Sequence, residues 1–131
     1  MVMLAADTNV WARAYLNDDT KRAAKARAAL AQAGSTGGVF VPLIVLAELS
    51  WVLRGRWERE RILNAIESLL QTRGVVVESP ALAWKALKAS RKGAVGFADH
   101  LISEIAFASD ASEILTFDKT FARLPRVRRL Q

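Results

Sequence analysis

Four carboxylates are spaced through the chain where acids can do chemistry: Asp7, Glu48, Asp99 and Asp118. Glu48 stands out. It is the one charged residue in the run "VFVPLIVLAELSWVL", residues 39–53. On a helix its neighbours are Ile44, Val45, Trp51 and Val52, and an ionised carboxylate among them is costly unless something pairs with it. Asp7, Asp99 and Asp118 can each be explained singly as helix caps or first-turn acids. Glu48 lies too deep in its helix for that, about 9 Å from the start. Its alternative explanation is a salt bridge to an arginine.

Taken jointly, the four acids point to a divalent cation. Buried carboxylates facing one another repel, and some would be forced to protonate. A cation removes that conflict, and an all-oxygen donor set favours hard ions, Mg²⁺ or Mn²⁺, over Zn²⁺. Such an ion lowers the pKa of a bound water and polarises a phosphoryl oxygen. The chain carries 19 Lys and Arg against 13 Asp and Glu, a net charge of +6. A basic total favours a polyanionic partner such as nucleic acid. An acidic cation site within a basic protein suits phosphodiester cleavage. The single histidine, His100, excludes a paired-histidine nuclease mechanism within one chain. It is expected to face solvent or to support a ligand from behind. No GxxxxGK[ST] loop, GxSxG elbow or GxGxxG fingerprint occurs, which removes support for P-loop hydrolysis and serine hydrolase chemistry.

The elements that must position these acids alternate in type. "VMLAA" (2–6) reads as a buried strand ending in the turn "DTN". Helices follow at 10–17 and 20–33, the second capped by "DD" and ended by "GSTGG". "VFV" (39–41) is a strand and 42–54 a helix, with Pro42 in its first turn. Residues 57–72 have amphipathic spacing. A strand at 75–78, helices at 80–92 and 97–109, a strand at 113–117, a short helix at 118–124 and an edge strand at 126–130 complete the chain. This alternation indicates an α/β fold with a mainly parallel, four- or five-stranded sheet between helical layers. Ligands of such sheets sit beyond the C-terminal strand ends, where Asp7 and Asp118 fall.

The 131 residues suit a single domain, 1–131, with a core large enough to need no staples. There is no cysteine, hence no disulfide framework, which fits a cytoplasmic setting. The opening residues lack a basic leader, and no apolar run is long enough to span a bilayer.

The motifs "DTNVW", "AEL", "FADHLI" and "TFDKTFARL", in that order, resemble the PIN domain and, more closely, the VapC toxins of VapBC toxin–antitoxin systems. The resemblance runs from residue 2 to about residue 125. It implies an α/β/α sandwich and a Mg²⁺- or Mn²⁺-dependent endoribonuclease that dimerises and is silenced by a cognate VapB-like antitoxin. It places Asp7, Glu48, Asp99 and Asp118 as the four acids of the site, holding the metal that activates water against RNA. It gives Thr8, Asn9 and Thr116 the task of orienting carboxylates, water or phosphate. The chain departs from the pattern at Thr120 and Gly96, where relatives often carry acids, so the number of metal ions is open.

"RGRWERER" (54–61) sets Arg54, Arg56 and Arg59 near Trp57. These arginines are expected phosphate contacts, while Trp57 is expected to cover core or interface. Two other basic stretches, Lys85–Lys88–Arg91–Lys92 and Arg123–Arg126–Arg128–Arg129, are expected to be solvated faces. Trp11, Trp51 and Trp84 are expected in the core. The competing reading is a non-catalytic PIN-like module that binds RNA or protein. An aspartyl-phosphate phosphatase fits less well, because Asn9 stands where a second Asp is needed.

Overall fold

A computed structural model describes residues 2–131. The chain divides into two compact units, Met1–Pro80 and Ala81–Gln131, and the fold is α/β with parallel sheets.

The first unit runs β1 (Leu4–Ala5), α1 (Thr8–Leu16), α2 (Thr20–Ser35), β2 (Val39–Val41), α3 (Leu43–Arg54), α4 (Arg59–Gln71) and β3 (Val75–Val77). Its strands form a parallel sheet in the order β1-β2-β3. Leu4 is in register with Val39, and Val39, Phe40 and Val41 with Val75, Val76 and Val77. A pair of helices makes each crossover, so the C-terminal ends of all three strands share one edge. Asp7, the start of α3 and Glu78 lie along it.

Local chemistry sets the boundaries. Helix α1 begins at Thr8, two residues before the sequence expectation, because Asp7 caps it. Asn17 ends it in the left-handed region at φ 56, a conformation asparagine tolerates. Asp19 caps α2 by accepting from the Arg22 N–H. Pro42 stands as the N-cap of α3 rather than inside its first turn. The N–H groups of Arg56 and Trp57 bond back to the Leu53 carbonyl, which closes α3 and delays α4 to residue 59. Gly74 has φ 88, and a Cβ there would run into the backbone of Gly34. Only glycine lets the turn before β3 pass so close to the end of α2.

The core of this unit is built on helical spacing. Leu46, Leu49 and Leu53 of α3 and Leu63, Ile66 and Leu69 of α4 are almost fully buried, together with Val39 and Val41 of β2. Burying each such side chain contributes about 1.5–3 kcal/mol.

The second unit holds α5 (Pro80–Ser90) from Ala81 onward, α6 (Phe97–Ala108), β4 (Ile114–Thr116), a short 3-10 turn (Phe121–Arg123) and β5 (Val127–Arg129). Strands β4 and β5 pair in parallel, Ile114 with Val127 and Thr116 with Arg129. Val95, Phe121 and Val127 form a buried cluster, with Ile114 and Leu124 packed against it. The expected helix at 118–124 is this 3-10 turn. The five expected strands are all present, three in one sheet and two in the other. Among the described residues no helix is long and apolar enough to cross a membrane.

Candidate active site

In the first unit the turn after β1 carries Asp7. Its Oδ1 accepts from the Val10 N–H at 3.1 Å, so capping, one of the explanations open from sequence, is realised. Capping engages one carboxylate oxygen and leaves the other for a second role. The next residue, Thr8, donates through Oγ1 to Glu48 Oε1 at 2.7 Å. That bond fastens the first residue of α1 to the middle of α3 and brings Glu48 beside the Asp7 turn. Asn9 follows on the same turn and is exposed.

Glu48 itself is exposed, which corrects the expectation of a carboxylate shut among apolar side chains. Helix α3 buries the face carrying Val45, Leu46, Leu49, Ser50 and Leu53. The opposite face carries Ile44 and Trp51, at 67% and 53% exposure, with Glu48 between them. The core expectation for Trp51 is corrected with it. What compensates Glu48 is the Thr8 hydroxyl and solvent, not burial beside an arginine.

A further carboxylate lies on this edge that the sequence reading absorbed into a strand. Glu78 follows β3, and its Oε1 accepts from the Leu43 N–H at 2.9 Å. Pro42 offers α3 no side-chain cap, so an acid 35 residues away supplies one. Its charge also complements the positive end of α3. The signal was available: like Asp7 and Asp118, Glu78 is an acid just past an apolar strand.

In the second unit Asp99 sits in the first turn of α6 and is half-buried. His100 is buried, at 8% exposure, contrary to a solvent-facing placement. It lies on the α6 face that also buries Phe97, Leu101 and Ser103. Asp118 follows β4 and is exposed. Its Oδ1 accepts from the N–H groups of Thr120 and Phe121 at 2.7 and 3.0 Å. Thr116 Oγ1 accepts from the Asp118 N–H at 3.0 Å. Thr116 thus orients the Asp118 backbone, and Asp118 starts the 3-10 turn.

The basic segment after α3 is engaged within its own unit. Arg56 Nη2 bonds Asp18 Oδ2 at 2.8 Å. Arg61 stacks 3.9 Å over the Trp57 ring, whose edge meets Tyr15 at 6.0 Å between centroids. Trp57 therefore joins the α3–α4 corner to α1, the packing role expected of it. Arg54 is exposed and Arg59 half-buried. Trp11 is buried in the core, as expected, whereas Trp84 is only half-buried and lies at its margin.

Among the described residues no three acids or histidines stand together as a ready cation cage. Mg²⁺ does not require one, because it is commonly held by one or two carboxylates, waters and substrate phosphate. Asp7 and Glu48 supply oxygen donors of that kind on one edge of a parallel sheet, so the donor chemistry fits a hard divalent ion.

The fold is α/β with parallel sheets, and Asp7, Glu78 and Asp118 stand just past strand ends. The family model described as PIN domain matches residues 4–127, across both units, and the chain belongs to that family. PIN domains are generally nucleases and typically use divalent metals. None of the curated proteins compared matches the chain.

Proposed function

We propose that this chain is a Mg²⁺- or Mn²⁺-dependent endoribonuclease, formed as one PIN-like domain, and the toxin of a type II toxin–antitoxin pair of the VapC kind. The observation that carries the nuclease reading is the Thr8–Glu48 hydrogen bond. It sets the second acid of the family pattern beside the turn that bears the first, on the sheet edge where α/β proteins place their ligands. The toxin reading is supported by the motif order "DTNVW", "AEL", "FADHLI", "TFDKTFARL". A homodimer and a cognate antitoxin accompany that reading.

Asp7, Glu48, Asp99 and Asp118 are the proposed metal-binding acids, on their match to the four motifs. A divalent ion held by them would activate water for attack on the scissile phosphorus and offset charge on the leaving oxygen. Thr8 holds the Glu48 carboxylate in one orientation. Asp7 keeps its position through its own cap, so the carboxylate is fixed by backbone as well as by rotamer. Thr116 fixes the turn that bears Asp118.

The capping bonds of Asp7 and Asp118 also favour a second reading, a non-catalytic module that keeps its acids for structure. One experiment separates the two. Purified protein is incubated with total RNA and Mg²⁺ or Mn²⁺, beside Asp7→Asn and Asp99→Asn. Cleavage by the wild type, abolished by either substitution and by EDTA, is the expected result. RNA left intact by the wild type would overturn the nuclease reading, and cleavage by both variants at the wild-type rate would overturn the assignment of the acids.

A further inference from the structure

Helices α1 and α2 line an open cleft of about 380 Å³ lying wholly within the first unit. Asp7, Asn9 and Arg13 line it from the α1 side. Arg22 and Lys25 line it from α2, with Ala26 and Ala29 beside them. The four α2 positions follow the spacing i, i+3, i+4, i+7, one helix face. Two of the four are alanine, and those short side chains keep the slot open.

The charges in the cleft are graded. The two helices form a hairpin, and Arg13 lies 3.8 Å from Asp18 and 4.0 Å from Asp19 in its turn. Arg22 lies 3.6 Å from Asp19. Both guanidinium groups are thus partly offset by the turn acids. Lys25 is exposed and has no ion pair among the described residues. The cleft therefore carries excess positive charge at Lys25 and opens at Asp7 and Asn9, residues of the proposed site. About 9 Å of helix separates Asp7 from Arg13, a span that a short stretch of nucleic-acid strand covers.

We propose that the α1–α2 cleft seats a backbone phosphate of single-stranded RNA beside the phosphodiester presented to Asp7. Lys25 is the principal contact, with Arg22 and Arg13 supporting it. This rests on the ribonuclease reading, because the cleft shares Asp7 and Asn9 with that site. An open cleft of this volume has room for a phosphate and its sugar, and an unpaired strand is free to bend so as to place one there. Phosphate contacts of this type set register along the strand rather than sequence preference.

The test measures binding and cleavage separately. Anisotropy of a labelled single-stranded RNA in EDTA reads affinity across a salt series, and Mg²⁺-dependent cleavage reads KM and kcat. Lys25→Ala is expected to weaken binding about three- to tenfold and to flatten the slope of log K against log salt by about 0.7. Lys25→Glu weakens binding further, and Lys25→Arg restores most of it. Ala29→Trp, which fills the slot and leaves every charge in place, also weakens binding. In cleavage, Lys25→Ala raises KM more than it lowers kcat. Circular dichroism melts check that each variant is folded.

If the wild type cleaves RNA while Lys25→Glu and Ala29→Trp change neither affinity, slope nor KM, the phosphate seat is wrong and the ribonuclease reading stands. If RNA binding depends on Lys25 but no divalent ion supports cleavage, the ribonuclease reading fails and with it the placement beside a scissile bond, while the Lys25–phosphate contact stands. Equal binding of duplex RNA, or of polyglutamate with the same Lys25 dependence, overturns the single-strand assignment.

Discussion

The Thr8 hydroxyl donates to Glu48 Oε1 at 2.7 Å, across 40 residues of sequence. It ties the helix that follows β1 to the helix that follows β2. A hydroxyl held this way restrains the carboxylate to one rotamer, and partners that orient metal-binding groups commonly matter about 10–100-fold in metal affinity or activity. Thr8→Val keeps the shape and removes the donor. It is expected to raise the Mg²⁺ concentration for half-maximal cleavage about tenfold, while Thr8→Ser restores it. An unchanged metal dependence in Thr8→Val would show that Glu48 needs no such partner.

Glu78 caps α3 from another strand, through the Leu43 N–H at 2.9 Å. Removing a side-chain cap costs about 1 kcal/mol, and the loss here also takes a negative charge from the start of the helix. Glu78→Ala should therefore lower the urea midpoint by an amount worth about 1 kcal/mol. Glu78→Gln, which keeps an acceptor oxygen, should lose roughly half of that. Equal stability of all three proteins would mean that solvent replaces the cap at no cost.

The order of the elements was legible because short apolar strands and amphipathic helices have different periods, and turn residues punctuate them; the burial expected of β1 was not met, since Leu4 is exposed. Asp7 and Asp118 were legible as acids at strand ends. Their caps were legible too, since the same residue types serve both purposes. The exposure of Glu48 was not. Helix α3 is apolar nearly all round, so its sequence does not say which face turns to the core. Leu46, Leu49 and Leu53 take the core, and Ile44, Glu48 and Trp51 are left outside. Of the two placements open to His100, facing solvent is ruled out, because helical phase carries it to the buried side with Phe97 and Leu101. Glu78 was hidden by being counted as the last residue of a strand. The α1–α2 cleft needed three dimensions, because its lining is drawn from two helices whose basic residues look like solvated charge in sequence.

Burial pushes the Tyr15 hydroxyl above its ordinary value, because the tyrosinate loses solvation. Above pH 10 or so the unfolded chain releases this proton while the folded chain keeps it. The unfolded state then binds fewer protons, so stability falls as pH rises. The contribution is intact below the ordinary phenol value and is lost as pH climbs through the raised one. Tyr15→Phe should flatten this alkaline decline in melts taken between about pH 9 and 11, and should preserve the edge contact with Trp57. A decline of the same steepness in the variant would assign it to other groups.

Arg128 of β5 places Nε and Nη2 at 3.1 and 2.8 Å from Glu113 Oε1, just ahead of β4. The hydrogen bonds and the adjacent positive charge hold the Glu113 carboxyl below its ordinary value. A lowered folded-state value means that the unfolded chain takes up protons first as pH falls. The pair's contribution is thus present above the ordinary glutamate range and disappears as pH falls through the lowered value. Both groups are exposed, so salt should screen the effect. Glu113→Gln should remove a small part of the acid-side loss of stability, more visibly in dilute buffer than in 1 M salt. The arithmetic is checked by a cycle with Arg128→Gln, in which the double variant should lose no more pH dependence than either single one. Additive losses would show that the two side chains act on stability independently.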